Sequence, residues 1–376
     1  MQGVKIFTIV TKSYLAYAKA LAVKVEEFHP GSGFTIFVVD PDGMGDEANG
    51  TTAEIRSAAD LFEDDTFRLM TGYYTADELC NACKPWAHSA LLCDKSTNTT
   101  LYLDSDIFLT GSLAPLLDDV GEKAILLTPH VFDAGADHGS EVLDRALLHG
   151  GIYNGGCLVL SRSLEADSFL VWWKDRLRYQ CLRDVPSLCV DQPWLNFIPA
   201  FYSSDAVAVC RRPGVNVGHW NMHERELRLA VGEFTANGEP LTFLHFSGWD
   251  WQNPQSPSRH AITESAKSSE AWSEAGVLYA QLLINQGIEQ SSCLAYSFGS
   301  ANNGTPITVE MRRRFLEHVK AGNASFGQLG VPTIFTNPEM FMTRGTNHAE
   351  KSLASRAFSK MKSLIRWRPL DTPRNV

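Results

Sequence analysis

Two aspartates one residue apart close an apolar run, Leu101-Tyr102-Leu103-Asp104-Ser105-Asp106, and this pair is the clearest chemistry in the sequence. Carboxylates at the end of a buried strand can both reach one cation from a strand-to-loop corner. They are hard oxygen ligands suited to Mn²⁺ or Mg²⁺, ions that keep positions open for phosphate oxygens. The plain alternative is a short acidic turn, because Asp-x-Asp alone is a common pattern.

Four other segments concentrate reactive side chains. Tyr153-Asn154-Gly155-Gly156 precedes an apolar strand; its glycines allow a ligand close to the backbone, and the Asn amide both donates and accepts. A tight turn would use the same residues. Cys189-Val190-Asp191-Gln192-Pro193-Trp194 opens a helix-like stretch, where Asp191 fits an ordinary N-cap with Pro in the first turn. The run 216–225 gathers Asn216, His219, Trp220, Asn221, His223, Glu224 and Arg225, more polar groups than a plain surface loop uses. His245 stands where an apolar segment at 241–246 meets Gly248; a lone His there is more often structural than a ligand.

The elements that must position these residues read as α/β. Strand-like runs at 4–10, 34–39, 99–103, 124–128 and 156–160 alternate with helix-like ones near 13–28, 76–94, 140–148 and 163–180. That alternation predicts a mostly parallel sheet sandwiched by helices. Thr75 and Glu78 form a capping-box pattern at the start of the helix carrying Cys80, Lys84 and Trp86. Ligands of open sheets collect beyond the carboxyl ends of strands, and Asp40 and the Asp104/Asp106 pair both follow strands. Gly, Pro, Ser and Asn cluster at 252–258, and helix-like stretches near 262–286 and 308–321 come after them. The expected organisation is a catalytic domain at 1–250, a smaller helical region at 251–345 and a basic tail at 346–376. Leu353, Phe358, Met361, Leu364 and Ile365 share one helical face of that tail, with Lys and Arg on another. Such a helix either packs on its own body or lies on an anionic membrane surface.

Composition narrows the class. With 44% hydrophobic and 20% charged residues the chain is globular, and a net charge of −10 argues against a general nucleic-acid binder. The first residues run directly into a strand-like segment, no apolar stretch reaches bilayer length, and the eight cysteines are scattered. Cys80-x-x-Cys83 lacks a second pair to complete a zinc site. A cytoplasmic protein is expected, peripheral on the inner face of the plasma membrane where the tail binds.

In this order, Lys84-Pro85-Trp86, Leu103-Asp104-Ser105-Asp106, Tyr153-Asn154-Gly155-Gly156, Asp191-Gln192, Trp220-Asn221 and His245-Phe246-Ser247-Gly248 resemble bacterial glycosyltransferases of the GT-A fold, close to glycosyltransferase family 8. The resemblance spans roughly residues 4–250, and Asn303-Gly304-Thr305-Pro306-Ile307 with Arg312-Arg313-Arg314 resembles extensions of bacterial members. It implies a Rossmann-like GT-A sheet and Asp104, Asp106 and His245 as ligands of Mn²⁺ or Mg²⁺. It further implies that Thr8, Tyr14 and Asp40 hold the base and ribose, and that Lys84, Ser105, Asn154 and Gly155 meet the diphosphate or donor sugar. Asp191 and Gln192 would lie beneath the reacting sugar carbon. Retention is implied, with a nucleotide-sugar donor, most simply UDP-linked, and a cell-surface glycan or lipid-linked saccharide as acceptor. Asp191 would then stabilise an oxocarbenium-like transition state rather than attack covalently.

One departure stands out. Family 8 continues its His-x-x-Gly element into Lys-Pro-Trp, whereas this chain runs Trp249-Asp250-Trp251-Gln252-Asn253. Arg225 and Arg259 are the candidates to replace that lysine, and Trp220, Asn221, His223 and Arg225 are assigned to acceptor or phosphate recognition. Three rivals remain: a haloacid-dehalogenase phosphotransferase, a sugar nucleotidyltransferase, and a non-catalytic sugar-nucleotide or polysaccharide-binding protein. The first expects its Asp-x-Asp near the N-terminus, and the second a Gly-rich basic loop after the first strand; neither feature is found.

Overall fold

The computed structural model describes residues 1–45, 49–133, 140–186, 188–327 and 330–342. Met1–Phe341 forms one compact unit; the amphipathic tail expected at 346–376 lies outside the described residues.

The first eight strands are β1 (Val4–Val10), β2 (Phe34–Val38), β3 (Glu54–Ser57), β4 (Thr99–Leu103), β5 (Ile107–Leu109), β6 (Ile125–Pro129), β7 (Tyr153–Ser161) and β8 (Val207–Val209). Seven of them form one sheet in the order β3-β2-β1-β4-β7-β6-β8. All pairs are parallel except those of β7 with β4 and β6. The central strands are apolar on both faces, as strands covered by helices on each side must be. Ile6, Phe7, Ile36, Phe37, Leu101, Leu103, Leu158 and Val159 are all buried. Each such side chain contributes about 2 kcal/mol by leaving water.

The helices α1 (Leu15–Phe28), α2 (Thr66–Tyr73), α3 (Ala76–Cys93), α4 (Ala114–Val120), α5 (Ser140–Gly150), α6 (Leu164–Gln180) and α7 (Ile198–Phe201) flank this sheet. The capping box at α3 is formed: Thr75 accepts from the Glu78 amide while the Glu78 carboxylate accepts from the Thr75 amide. Ser163 caps α6 through the Ala166 amide. The mixed α/β architecture matches the class expected from the alternating pattern. Two details differ. The Tyr153–Gly156 segment is the beginning of β7 rather than a turn before it, because Tyr153 pairs with Pro129 of β6 and the Gly156 carbonyl accepts from the Asp104 amide. The single helix expected near 262–286 is broken at Ser269 into α8 (Glu264–Ser268) and α9 (Glu270–Asn285), since Ser269 leaves the helical region to cap α9.

Beyond the sheet come β9 (Leu227–Ala230), β10 (Glu233–Ala236), β11 (Glu239–Pro240) and β12 (Phe243–His245), then α10 (Ile288–Ser291) and α11 (Val309–Lys320). β9, β10 and β11 form a small antiparallel sheet, and β12 pairs with β5. Across the 252–258 stretch, Phe246 and Trp249 pack on Tyr279 at ring separations of 5.1 and 5.5 Å. The eight cysteines are free thiols. Among the described residues no helix is long and apolar enough to cross a membrane.

Candidate active site

Topology alone brings the chemical residues together. β1, β2 and β4 are parallel, so Thr11, Asp40 and Asp104 follow their strands at one sheet edge. β7 runs antiparallel to β4 with Leu103 opposite Cys157, which returns Asn154, Gly155 and Gly156 to that same edge. The Asp104 amide donates to the Gly156 carbonyl at 2.8 Å. The β12–β5 pair sets His245 opposite Ile107, beside Asp106.

The result is a corner of Asp104, Asp106 and His245 whose ligand atoms lie within 4.8 Å of one another. His245 Nε2 is 3.1 Å from Asp106 Oδ1 and 3.6 Å from Asp104 Oδ2. Cis ligands of an octahedral ion bound at about 2.1 Å stand about 3 Å apart, the spacing of His245 from Asp106, so two carboxylates and an imidazole are gathered as a hard divalent cation would need them. The electrostatics agree. Burial pulls His245 down, and Asp106 and Asp104 outweigh it, so the corner draws positive charge. Burial works against ionised Asp104 too, and Lys84 and His245 overcome it to hold the carboxyl below its usual range. Gly156 leaves the room: a Cβ there would lie 2.5 Å from both Asp104 Oδ2 and His245 Cε1.

Orienting groups surround the corner. Tyr102 donates its hydroxyl to Asp104 Oδ1 at 2.6 Å. His245 Nδ1 lies 3.1 Å from Asn216 Oδ1, a bond that aims Nε2 at the carboxylates. Asn216 has φ of 57°, a left-handed conformation that Asn tolerates better than most residues. Trp220 sets its indole edge-on against His245 at 5.1 Å and against His130 at 5.2 Å, and its indole N–H is buried without a partner. Asn221 donates to the His130 and Asn216 carbonyls and accepts from the Gly218 amide, which fixes the loop.

Behind the corner, Lys84 is fully buried. Its ammonium donates to Asp191 Oδ2 and to the Gly155 carbonyl, each at 2.9 Å. It lies 3.7 Å from Asp104 Oδ1 and 4.5 Å from the centre of the Tyr102 ring. Burial would lower the lysine, and Asp191 with Asp104 outweighs it, so the side chain stays charged. Asp191 is pushed up to about 6, by burial first and by Asp104, against the pull of Lys84. Its backbone occupies an N-cap position, yet its side chain caps nothing and turns inward to Lys84. The preceding Val190 has φ of 51°, a costly conformation for a β-branched residue and one that recurs at functional sites. Gln192 accepts from the Gly155 amide at 2.9 Å and donates to the Gly150 carbonyl. Asn154 accepts from the Gly156 amide at 2.8 Å and contacts His130 Nε2 at 3.0 Å. Burial pushes His130 down to about 4, so it is neutral and accepts from Asn154.

Asp104, Asp106, His245, Lys84, Asn154, Gly155, Asp191 and Gln192 thus share one network. The other expected residues stand around it. Thr8 is buried with its hydroxyl unpartnered, and Tyr14 is half exposed and stacked on Tyr17 at 5.2 Å. Asp40 is buried, and its carboxylate accepts from the Lys12 and Ser297 amides at 2.8 and 3.1 Å. The Ser105 carbonyl accepts from the Tyr279 hydroxyl. His223 and Arg225 line a separate cavity of about 430 Å³ with Asn237 and Ser269. The Arg225 guanidinium is buried on the Phe132 ring at 4.1 Å and donates to the Val215 carbonyl at 2.5 Å. Sequence reasoning passed over Tyr102, His130 and Asn216 as site residues. Tyr102 lay inside the motif strand and Asn216 inside a polar run, and His130 follows a strand end with no companion to mark it.

No protein-family model matches the chain. It is 25% identical over 250 residues to the uncharacterized protein YfnF of Bacillus subtilis (strain 168), which covers 64% of this chain and 80% of that protein. Among solved structures it is similar to the galactosyltransferase LgtC in complex with donor and acceptor sugar analogs, at 19% identity and a TM-score of 0.39, covering 72% of this chain and 95% of that one. It is also similar to the glycosyltransferase GlyE of Streptococcus pneumoniae TIGR4, at 13% identity and a TM-score of 0.38, covering 79% and 66%.

Proposed function

We propose that this chain is a metal-dependent glycosyltransferase that moves a sugar from a nucleotide diphosphate donor, most simply UDP-linked, to a cell-surface glycan or lipid-linked saccharide. The observation that carries the proposal is the adjacency of two units on the Gly155-Gly156 floor: an Asp104/Asp106/His245 cation corner and a buried Lys84–Asp191 pair. A cation held by Asp104, Asp106 and His245 supplies Lewis acidity toward a departing diphosphate. The chain's own residues do the rest. Asn216 and Tyr102 orient the ligands, while Gln192 and Asn154 hold the floor through the Gly155 and Gly156 amides.

Asp191 is the residue we place beneath the reacting carbon. Lys84 engages one of its oxygens and holds it against the floor, which suits electrostatic stabilisation of an oxocarbenium-like centre better than covalent attack. The proposal includes retention at the anomeric carbon, the acceptor entering on the face from which the diphosphate departs, and product configuration read by NMR tests it. The function itself is tested by nucleotide release from a panel of sugar nucleotides, with and without Mn²⁺. Turnover of one donor, dependent on the metal and lost in Asp104→Ala and Asp106→Ala, is the expected result. Tight donor binding with no turnover on any acceptor would make the chain a binding module instead.

A further inference from the structure

A diphosphate would bring several negative charges to a corner where Asp104 and Asp106 would already balance a bound divalent cation. Some fixed cation must therefore face the outer phosphate oxygens. The cleft's basic residues are mostly committed elsewhere. Lys84 is buried on Asp191 and the Gly155 carbonyl. Arg225 is buried on Phe132 and the Val215 carbonyl. Arg183 is paired with Asp77 at 2.6 Å. The Lys12 ammonium is taken by the Asp42 carbonyl and the Ser297 hydroxyl.

Arg259 is differently placed. It is exposed, and among the described residues no carboxylate pairs with it. Its turn is folded back onto the segment that carries His245. The Arg259 amide donates to the Gly248 carbonyl at 3.0 Å, and the Ser258 hydroxyl donates to the Ser247 carbonyl at 2.7 Å. Gly248 has φ of 69°, and a Cβ there would lie 2.2 Å from the His260 ring; only glycine lets the turn close. The His260 amide donates to Ser258 Oγ, and Arg259 Nε contacts His260 Nε2 at 3.3 Å, which steadies the guanidinium. A ladder of rings joins this turn to the cation corner: His260 to His219 at 5.7 Å, His219 to Trp220 at 5.0 Å, and Trp220 to His245 at 5.1 Å. The Tyr14 phenol is raised, by burial first and then by Asp106, with Arg259 acting against them.

We infer that Arg259, held by the Ser258–His260 turn over Gly248, is the residue that grips the donor's diphosphate. The inference rests on the proposed glycosyl transfer and adds to it a fixed positive charge for the diphosphate. The test is calorimetric titration of the full chain with Mn²⁺ alone, then with UDP, GDP, ADP and CDP plus Mn²⁺, and with the nucleoside of the tightest binder. Arg259→Ala is expected to weaken diphosphate binding about tenfold or more, the loss of a charge-assisted bond, with Mn²⁺ and nucleoside binding unchanged. Arg259→Lys should retain part of the affinity. Diphosphate affinity in Arg259→Ala equal to wild type would overturn the inference. So would an equal loss for nucleoside and diphosphate, or a defect confined to the KM of a phosphorylated acceptor. If the wild type binds no nucleoside diphosphate in a metal-dependent way, the proposed function falls as well, a result distinct from failure of Arg259 alone.

Discussion

Replacing Lys84 by Met removes a charge while keeping most of the side chain's volume, so the effect is set by the groups that charge faces. The ammonium faces two carboxylates, 2.9 Å from Asp191 and 3.7 Å from Asp104. With Lys84 in place, burial already pushes Asp191 from 3.8 up to about 6, which is about 3 kcal/mol against its ionised form. Removing one partner of a buried pair costs about 3–5 kcal/mol. Lys84→Met is therefore expected to lose stability of that order near neutral pH and to raise Asp191 further. The sign of the pH dependence comes from linkage. Because the folded pKa of this acid lies above its unfolded value, ionisation opposes folding. The penalty is absent below the unfolded value and grows as pH rises through the folded one. The difference between Lys84→Met and wild type, read by urea unfolding, should thus be large at about pH 8 and shrink toward about pH 4 as Asp191 takes a proton. In turnover assays the acidic limb of the kcat profile should move to higher pH. A kcat profile identical to wild type with only a higher KM for the donor would refute the reasoning and make Lys84 a substrate contact. A stability loss independent of pH would refute it too.

Three further outcomes are expected from the same geometry. Asn216→Gly keeps the left-handed backbone while removing the acceptor 3.1 Å from His245 Nδ1; Mn²⁺ affinity by calorimetry should fall about 10–100-fold, and Asn216→Asp should restore most of it. Gly156→Ala puts a methyl 2.5 Å from Asp104 Oδ2 and His245 Cε1, so the stabilisation by Mn²⁺ in thermal unfolding should disappear while the metal-free protein still folds. Burial lowers His88 to about 3 and His130 to about 4 from 6.5. The unfolded chain then binds protons that the folded chain refuses, so stability present above about pH 6.5 is lost as pH falls toward 4, by about 3 kcal/mol from His130 alone. Unfolding free energy that stays level across that window would contradict it.

Much of the fold was legible because its strongest signals are local. Apolar runs such as Val4–Val10 and Thr99–Leu103 read as strands wherever they sit, and the Thr75/Glu78 box marks a helix start by itself. Short edge elements such as β3 and β8, with three or four residues each, take their conformation from strand partners distant in sequence, and carry no such mark. At the site, Asp104, Asp106 and His245 could be named from order and type. Their orienting partners could not: Asn216 is 29 residues from His245, and His130 is 24 from Asn154. Nothing in the spacing of such pairs distinguishes a bond from a coincidence.

Lys84 shows what residue type leaves open. A lysine ahead of an acidic motif suggests a contact for phosphate; the structure adds that β4 and α3 bury it, with two carboxylates and a carbonyl facing its charge. The same packing explains why Asp191 could be read as a cap. Its backbone does stand at the start of a 3₁₀ turn, and only the burial of Lys84 opposite it draws the carboxylate away from the free amides. If that inward turn is what keeps Asp191 ionised beside the corner, a cation for the diphosphate has to come from outside the buried network. Arg259 can serve because its turn is tied to the Ser247-Gly248 backbone while its guanidinium remains in solvent.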